Sequence, residues 1–157
     1  MTPPELPELT TLPELTLPAT GGGPIALGAL KGSKVVIYFY PKDNTPGCTN
    51  ESRDFGALYA EFVAAGCKVF GASRDSLKSH ENFKAKLELP FELLSDTDET
   101  LCAAFGVIKM KNMYGKQVRG IERSTFVFAA DGSLARAWRG VKVPGHAAEV
   151  LEFVRSL

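Results

Sequence analysis

The sequence predicts an α/β fold in which a central mixed β-sheet is flanked by helices, with a small β-hairpin ahead of it. Three observations predict it. Two apolar, β-branched runs, KVVIYFY at 34–40 and CKVFGAS at 67–73, fit strands buried on both faces. Between them Phe55, Leu58, Tyr59, Phe62 and Val63 recur at the spacing of a helix with one buried stripe. Further on, Asp131-Gly132 joins two more strand-like runs, Ser124 to Phe128 and Leu134 to Arg139, as an antiparallel hairpin.

In chain order, the first eighteen residues hold five prolines and three Pro-Glu-Leu repeats, so residues 1–14 are expected to be a flexible, polyproline-like lead and 15–157 the folded domain. LTLPAT and GGGPIAL surround a Gly-rich turn and predict the small hairpin. The strand over 34–40 stops at Pro41, and the helix that begins around Cys48 stops at Gly66. Joining the next strand, 67–73, to the first through that helix gives a right-handed β-α-β unit. A helix from about Leu77 to Leu87 is expected to bury Leu77, Phe83 and Leu87, with Pro90 breaking it before a short strand in FELLS. Asp96 or Thr97 can cap a helix carrying Leu101, Cys102 and Phe105 and closed by Gly106. After the hairpin, a helix from about Gly145 to Ser156 presents Val150, Leu151, Val154 and Leu157. A β-α-β half followed by a β-β-α half is the order of a thioredoxin-like sandwich.

With 157 residues, 45% apolar and 23% charged, the chain has the size and composition of one globular domain. No apolar run approaches the roughly 18 residues of a membrane helix, and the amino terminus has no basic-then-apolar signal, so a cytoplasmic protein is expected. Eighteen basic and eighteen acidic residues cancel, removing the general attraction to nucleic acid or anionic lipid. The locally basic stretch Lys109 to Arg123 reads as a solvated loop. Three scattered cysteines, without a Cys-x-x-Cys pair and with only two histidines, support neither a disulfide framework nor a zinc site; no metal or cofactor is expected.

The chemistry points to Cys48. It follows a buried parallel strand, where such sheets open a crevice for ligands, so its thiol is expected at a site instead of in the core. The start of a helix offers unpaired N–H groups and partial positive charge, which favour thiolate over thiol. Pro46-Gly47 reads as a tight turn that lets backbone come close to an anion.

Pro41-x-x-x-Thr45-x-x-Cys48 resembles the active-site motif of the peroxiredoxins, and PKDNTPGCTNE is similar to its form in the bacterioferritin comigratory protein or peroxiredoxin Q subfamily. GIERSTFVF, SRDSLKSHENF and CAAFGV match as well, extending the likeness from about Leu15 to the carboxyl end. The resemblance implies a thiol peroxidase acting on hydrogen peroxide and organic hydroperoxides. Cys48 would be the peroxidatic nucleophile, Thr45 a hydrogen-bond partner of the peroxide, Pro41 a shield and Arg123 the positive charge. Gly47 and Glu51 join them as substrate-binding candidates. Glu51 either orients Arg123 or is simply an acid favoured at a helix start.

A magnitude constrains such a site. A free thiol, with an ordinary pKa of about 8.5, is a few per cent ionised at neutral pH, so full ionisation gains roughly thirtyfold, about 2 kcal/mol. Nucleophilicity falls with that pKa, giving part of the gain back. The larger share must come from donors fixed around the S–O–O line, namely Arg123, the Thr45 hydroxyl and the Cys48 N–H, each able to contribute about 3 kcal/mol if preorganised.

The subfamily's resolving cysteine is absent here. Its two usual positions hold Arg53 and Lys84, so the resemblance implies a one-cysteine cycle completed by an external thiol: thioredoxin, glutaredoxin or glutathione. Cys67, at a strand start, and Cys102, on an apolar helix stripe, read as small core residues. His80 and His146 read as surface or packing residues, and Trp138 as core. A disulfide oxidoreductase would need a second thiol one turn after the first, where Glu51 stands. A redox sensor or holdase on the same fold is the alternative function, and a monomer the expected assembly.

Overall fold

The structure is a computed structural model, which describes residues 9–157. Its hub is a five-stranded sheet. β3 (Lys34–Phe39) lies at the centre, parallel to β4 (Cys67–Ser73), which is parallel to β5 (Glu92–Ser95); on the other side β8 (Ser124–Phe128) and β9 (Leu134–Arg139) run antiparallel. β1 (Thr16–Leu17) and β2 (Ile25–Ala26) form the small hairpin ahead of it. This is the mixed sheet flanked by helices that the sequence predicts.

Side chains alternate across the sheet and build two cores. Val35, Ile37 and Phe39 point to one face, where Phe126, Phe128 and α3 (Thr100–Phe105) cover them. Val36, Tyr38 and Tyr40 point to the other, under α1 (Pro46–Ala64), α2 (Leu77–Leu87) and α4 (His146–Arg155). Burying one large apolar side chain stabilises by about 1.5–3 kcal/mol, and Phe39, Phe55, Phe62, Phe83, Phe105, Phe126 and Phe128 are all fully buried.

Several expectations need correction. The Pro-rich lead expected over 1–14 lies outside the described residues as far as residue 8. From there the chain is already packed: Leu12 is buried, donates its N–H to Gly132 O at 2.9 Å, and Leu134 N–H reaches Thr10 O at 2.8 Å. These backbone bonds to the Asp131-Gly132 turn carry order upstream of residue 15. Val63 is exposed at the solvent edge of its helical stripe, and Leu157 is exposed because α4 ends at Arg155, before the stripe reaches it. Trp138 is half-buried, on edge strand β9, with Arg136 stacked 4.3 Å above its ring. Leu77 and Leu87 are half-buried, and the α2 positions that face the core are Phe83 and His80. The segment read as a solvated loop is a second hairpin, β6 (Ile108–Met113) with β7 (Lys116–Ile121), closed by Tyr114 and Gly115 at positive φ.

Candidate active site

Sheet register builds the site. β3 and β8 are antiparallel with Phe39 opposite Ser124, so the residue before β8 stands across from the chain leaving β3. Arg123 is thereby brought to the loop 40–45 and the start of α1, 75 residues away from Cys48 in sequence. Asn44 turns that loop at φ 64°, a conformation asparagine tolerates.

The helix begins two residues earlier than the sequence suggests. Thr45 is the N-cap in extended conformation and Pro46, Gly47 and Cys48 form the first turn. Proline suits the first helical position because it has no N–H to leave unpaired. Pro46-Gly47 is therefore helix, and the Thr49 N–H already bonds Thr45 O at 2.9 Å. That leaves the N–H groups of Gly47 and Cys48 as the free donors of the helix start. Thr45 does not cap with its side chain; its hydroxyl donates to Lys42 O at 2.8 Å. Pro41 is half-buried beside it.

Arg123 spans two partners. Its Nη1 donates to Glu51 Oε1 at 2.6 Å and its Nη2 to Cys48 Sγ at 3.4 Å. Gly47 makes room for this, since a Cβ there would lie 3.2 Å from Arg123 Nη2. The sulfur was expected to face a crevice, yet Cys48 is only 1% exposed and packs with Tyr38, Tyr40 and Phe55. The thiol stands at the strand ends and inside the core at once, because α1 tilts its first turn down onto the aromatic side chains of β3.

Glu51 is buried as well, with Oε2 lacking a partner among the described residues. Burial pushes its carboxyl up to about 7 against the pull of Arg123. Such a group favours folding while protonated. The stabilisation is complete below the ordinary carboxyl value and is lost as pH rises through about 7, by about 3 kcal/mol at most. Glu51→Gln is expected to flatten the fall in unfolding free energy between pH 5 and pH 8 by about 2–3 kcal/mol. Urea titrations of both proteins at the two pH values check this; parallel pH profiles would contradict it.

The sequence pointed to neither the extent nor the partners of a second cluster behind the loop. His80 is fully buried, with Nδ1 2.8 Å from Asp43 Oδ2 and Nε2 2.9 Å from Leu94 O. A carbonyl and a carboxylate only accept, so both ring nitrogens carry hydrogen. Asp43 also accepts from Tyr40 Oη at 2.6 Å and from Ser79 Oγ at 2.8 Å, and its own N–H bonds Asp75 Oδ2 at 2.9 Å. Burial works to raise the Asp43 carboxyl, but the hydrogen bond and charge of His80 take it below the usual range. Asp43, Asp75 and His80 hold their polar atoms within 4.8 Å of one another, and the hydrogen bonds above account for them as a structural cluster. His146 is also buried, bonded through Nε2 to Thr125 Oγ1 at 2.8 Å. Cys67 and Cys102 are buried in the core, where burial pushes the Cys67 thiol up to about 12 and raises that of Cys102 too.

A family model described as AhpC/TSA matches residues 10–137. The chain belongs to the AhpC/TSA family. Peroxiredoxin Bcp of Xanthomonas campestris is 57% identical over 152 residues, 97% of this chain and 94% of the relative. Among solved structures, Xanthomonas campestris peroxiredoxin Q superposes with a TM-score of 0.88 at 56% identity, covering 92% of this chain and 94% of that one. A second, at TM-score 0.87 and 56% identity over 92% and 95% of the two chains, is the bacterioferritin comigratory protein of the same organism, solved as trapped intermediate and ligand complexes to explain alkyl peroxide reduction. This peroxiredoxin has the thioredoxin-like fold of those structures and is a thiol peroxidase.

Proposed function

We propose that the protein reduces hydrogen peroxide and alkyl hydroperoxides at Cys48 in a one-cysteine cycle completed by an external thiol. The observation that carries the site is the Arg123 guanidinium 3.4 Å from Cys48 Sγ. The thiolate attacks one peroxide oxygen, the O–O bond breaks, and the leaving oxygen takes a proton as water or alcohol while the sulfur becomes sulfenic acid. In that transition state negative charge spreads over sulfur and two oxygens. Arg123, the N–H groups of Gly47 and Cys48, and the Thr45 hydroxyl, once it leaves Lys42 O, are the donors along the line. Pro41 shields one side, and Glu51 holds the guanidinium. Since Cys48 is sealed, peroxide enters as loop 41–45 and the Arg123 side chain give way.

The one-cysteine cycle is supported by where the other thiols lie. Cys67 opens β4 in register with Lys34, at the far end of β3 from the site, a strand of six residues or roughly 20 Å away. Cys102 belongs to the core on the other face of the sheet. A disulfide needs Cα atoms within about 7 Å. Arg53 and Lys84, the positions where the resemblance puts a resolving thiol, offer no sulfur. After one equivalent of peroxide, an intact mass spectrum is expected to show addition of one oxygen at Cys48 and no loss of two hydrogens. A Cys48–Cys67 or Cys48–Cys102 linked peptide would overturn the cycle.

We take the catalytic unit to be one domain acting as a monomer, with thioredoxin, glutaredoxin or glutathione as reductant. A cytoplasmic setting, which keeps thiols reduced, suits three cysteines that are all free. No helix among the described residues is long and apolar enough to cross a membrane. A sensor or holdase would stop after one equivalent of peroxide, whereas this enzyme turns over many when thiol is supplied.

A further inference from the structure

We propose that the β6–β7 hairpin is the docking surface for the external reductant, and that this reductant is a protein dithiol whose reactive cysteine is rimmed by acidic side chains. The proposal rests on the one-cysteine cycle and names its partner. Among the described residues the hairpin pairs with no other strand; Ile121 and Ile108 anchor its base to the core, and from Asn112 to Arg119 its described side chains are exposed. An isolated two-stranded sheet gains little from its own hydrogen bonds, and its side chains are those of a contact surface. Met110 is 61% exposed, Tyr114 100% and Val118 37%, three of the five large apolar side chains that are exposed among the described residues. Aromatic residues and methionine on an exposed surface are the usual material of protein interfaces.

Charge selects the partner. Residues 108–121 carry Lys109, Lys111, Lys116 and Arg119 and no acid, in a chain whose net charge is zero. Arg119 is engaged with Glu99, and the Lys111 ammonium donates to Ile121 O. Lys109 and Lys116 are exposed and enter no ion pair among the described residues. Acidic groups brought against this patch would be steered to it and held in register.

Position selects the reaction. β7 ends at Ile121, and the chain runs straight on to Arg123, which touches Cys48 Sγ. Lys111 donates to Ile121 O at the base of the hairpin, two residues before the Arg123 whose Nη2 lies 3.4 Å from Cys48 Sγ, so that base adjoins the site. A partner seated on the hairpin therefore has its thiol at the mouth of the site. The partner's thiol attacks the Cys48 sulfenic sulfur, an S–S bond forms as the S–O bond breaks, and the thiol's proton leaves with the hydroxyl as water, giving a mixed disulfide. The partner's second thiol then breaks that bond, Cys48 returns as thiol, and the two electrons have come from the dithiol, now a disulfide. A membrane surface could also attract cations and tyrosine, but it supplies no thiol to a sulfur at the hairpin's base.

The test uses the full chain with Lys109→Glu/Lys116→Glu, and separately Tyr114→Ser, all at exposed positions. Probes are an acidic thioredoxin and dithiothreitol, which is uncharged. The charge-reversed variant is expected to lose about tenfold or more in kcat/KM for thioredoxin at low salt, and Tyr114→Ser a smaller part. Sulfenate formation and turnover with dithiothreitol should match the parent. Unchanged kcat/KM for thioredoxin, with or without binding to anionic phosphatidylserine vesicles, overturns the docking surface and leaves the one-cysteine cycle standing. So does a parent that dithiothreitol turns over but thioredoxin does not. An internal disulfide in the oxidised parent overturns the cycle itself, whatever the hairpin variants do.

Discussion

Arg123→Ala is expected to slow oxidation of Cys48 by about 10²–10³-fold, the cost of one preorganised donor to developing negative charge. The side chain is held at both nitrogens, by Glu51 Oε1 and by the sulfur, and half the sandwich is needed to hold it there. Once the guanidinium has closed back over the seated peroxide, the chemical step itself needs no further reorganisation as charge spreads from sulfur to oxygen. The substitution has a second effect, because Glu51 is left buried without its cation, and removing one partner of a buried pair costs about 3–5 kcal/mol if the charge stays. Glu51 avoids most of that by keeping its proton, since burial already raises it to about 7. Stability loss in Arg123→Ala should therefore grow with pH. Adding Glu51→Gln should restore stability at alkaline pH and leave oxidation slow. Stopped-flow tryptophan or sulfenate-trapping kinetics read the rate, and urea unfolding the stability. If Arg123→Ala oxidises as fast as the parent, charge at that position is not what drives the reaction.

Strands and helices were legible wherever one periodicity met one buried face. The limits of β4, α2, β8 and β9 read from the sequence are those of the structure, because Cys67 to Ser73 and Ser124 to Phe128 are mostly apolar and β-prone and Leu134 follows an Asp-Gly turn. The β6–β7 hairpin was missed for the converse reason. Between Ile108 and Ile121, which anchor its base to the core, its described residues are mostly lysine, arginine, asparagine and glutamine with no buried face, so composition resembles a loop, and the Tyr114-Gly115 turn marks the reversal.

At the site, local sequence placed the thiol at a helix start, but not its burial. Whether Cys48 is exposed depends on how α1 leans on Tyr38, against which its own Phe55 packs face to face at 4.6 Å, and that is a property of the assembled layers. The Asp43 cluster was invisible for a related reason. A histidine in an amphipathic helix and an aspartate in a loop, 37 residues apart, carry no mark of pairing until the β-α-β crossover brings α2 over the loop.

That pairing predicts the largest change in stability outside the active site. Asp43→Ala should destabilise the fold by about 3–5 kcal/mol, since it leaves the wholly buried His80 ring with both nitrogens donating and one acceptor gone, and strands the hydroxyls of Tyr40 and Ser79. Asp43→Asn keeps an oxygen for Tyr40 and loses the charge, so it should cost less. Activity should fall too, for a reason that stability alone does not supply. Asp43 ties loop 41–45 to α2 and, through its N–H, to Asp75, and that loop sets the N-cap Thr45 and the turn that carries Cys48. A displacement there of about 1 Å is enough to cost roughly 10²-fold in rate. Pairing Asp43→Ala with His80→Leu removes the buried charge and should return part of the stability, because a lost ion pair replaced by apolar volume can be nearly neutral. It does not retie the loop. Urea unfolding of the single and double variants, beside their sulfenate-formation rates at a temperature where both are folded, separates the two effects. If oxidation recovers together with stability in the double variant, Asp43 and His80 serve the fold alone and do not position the thiol.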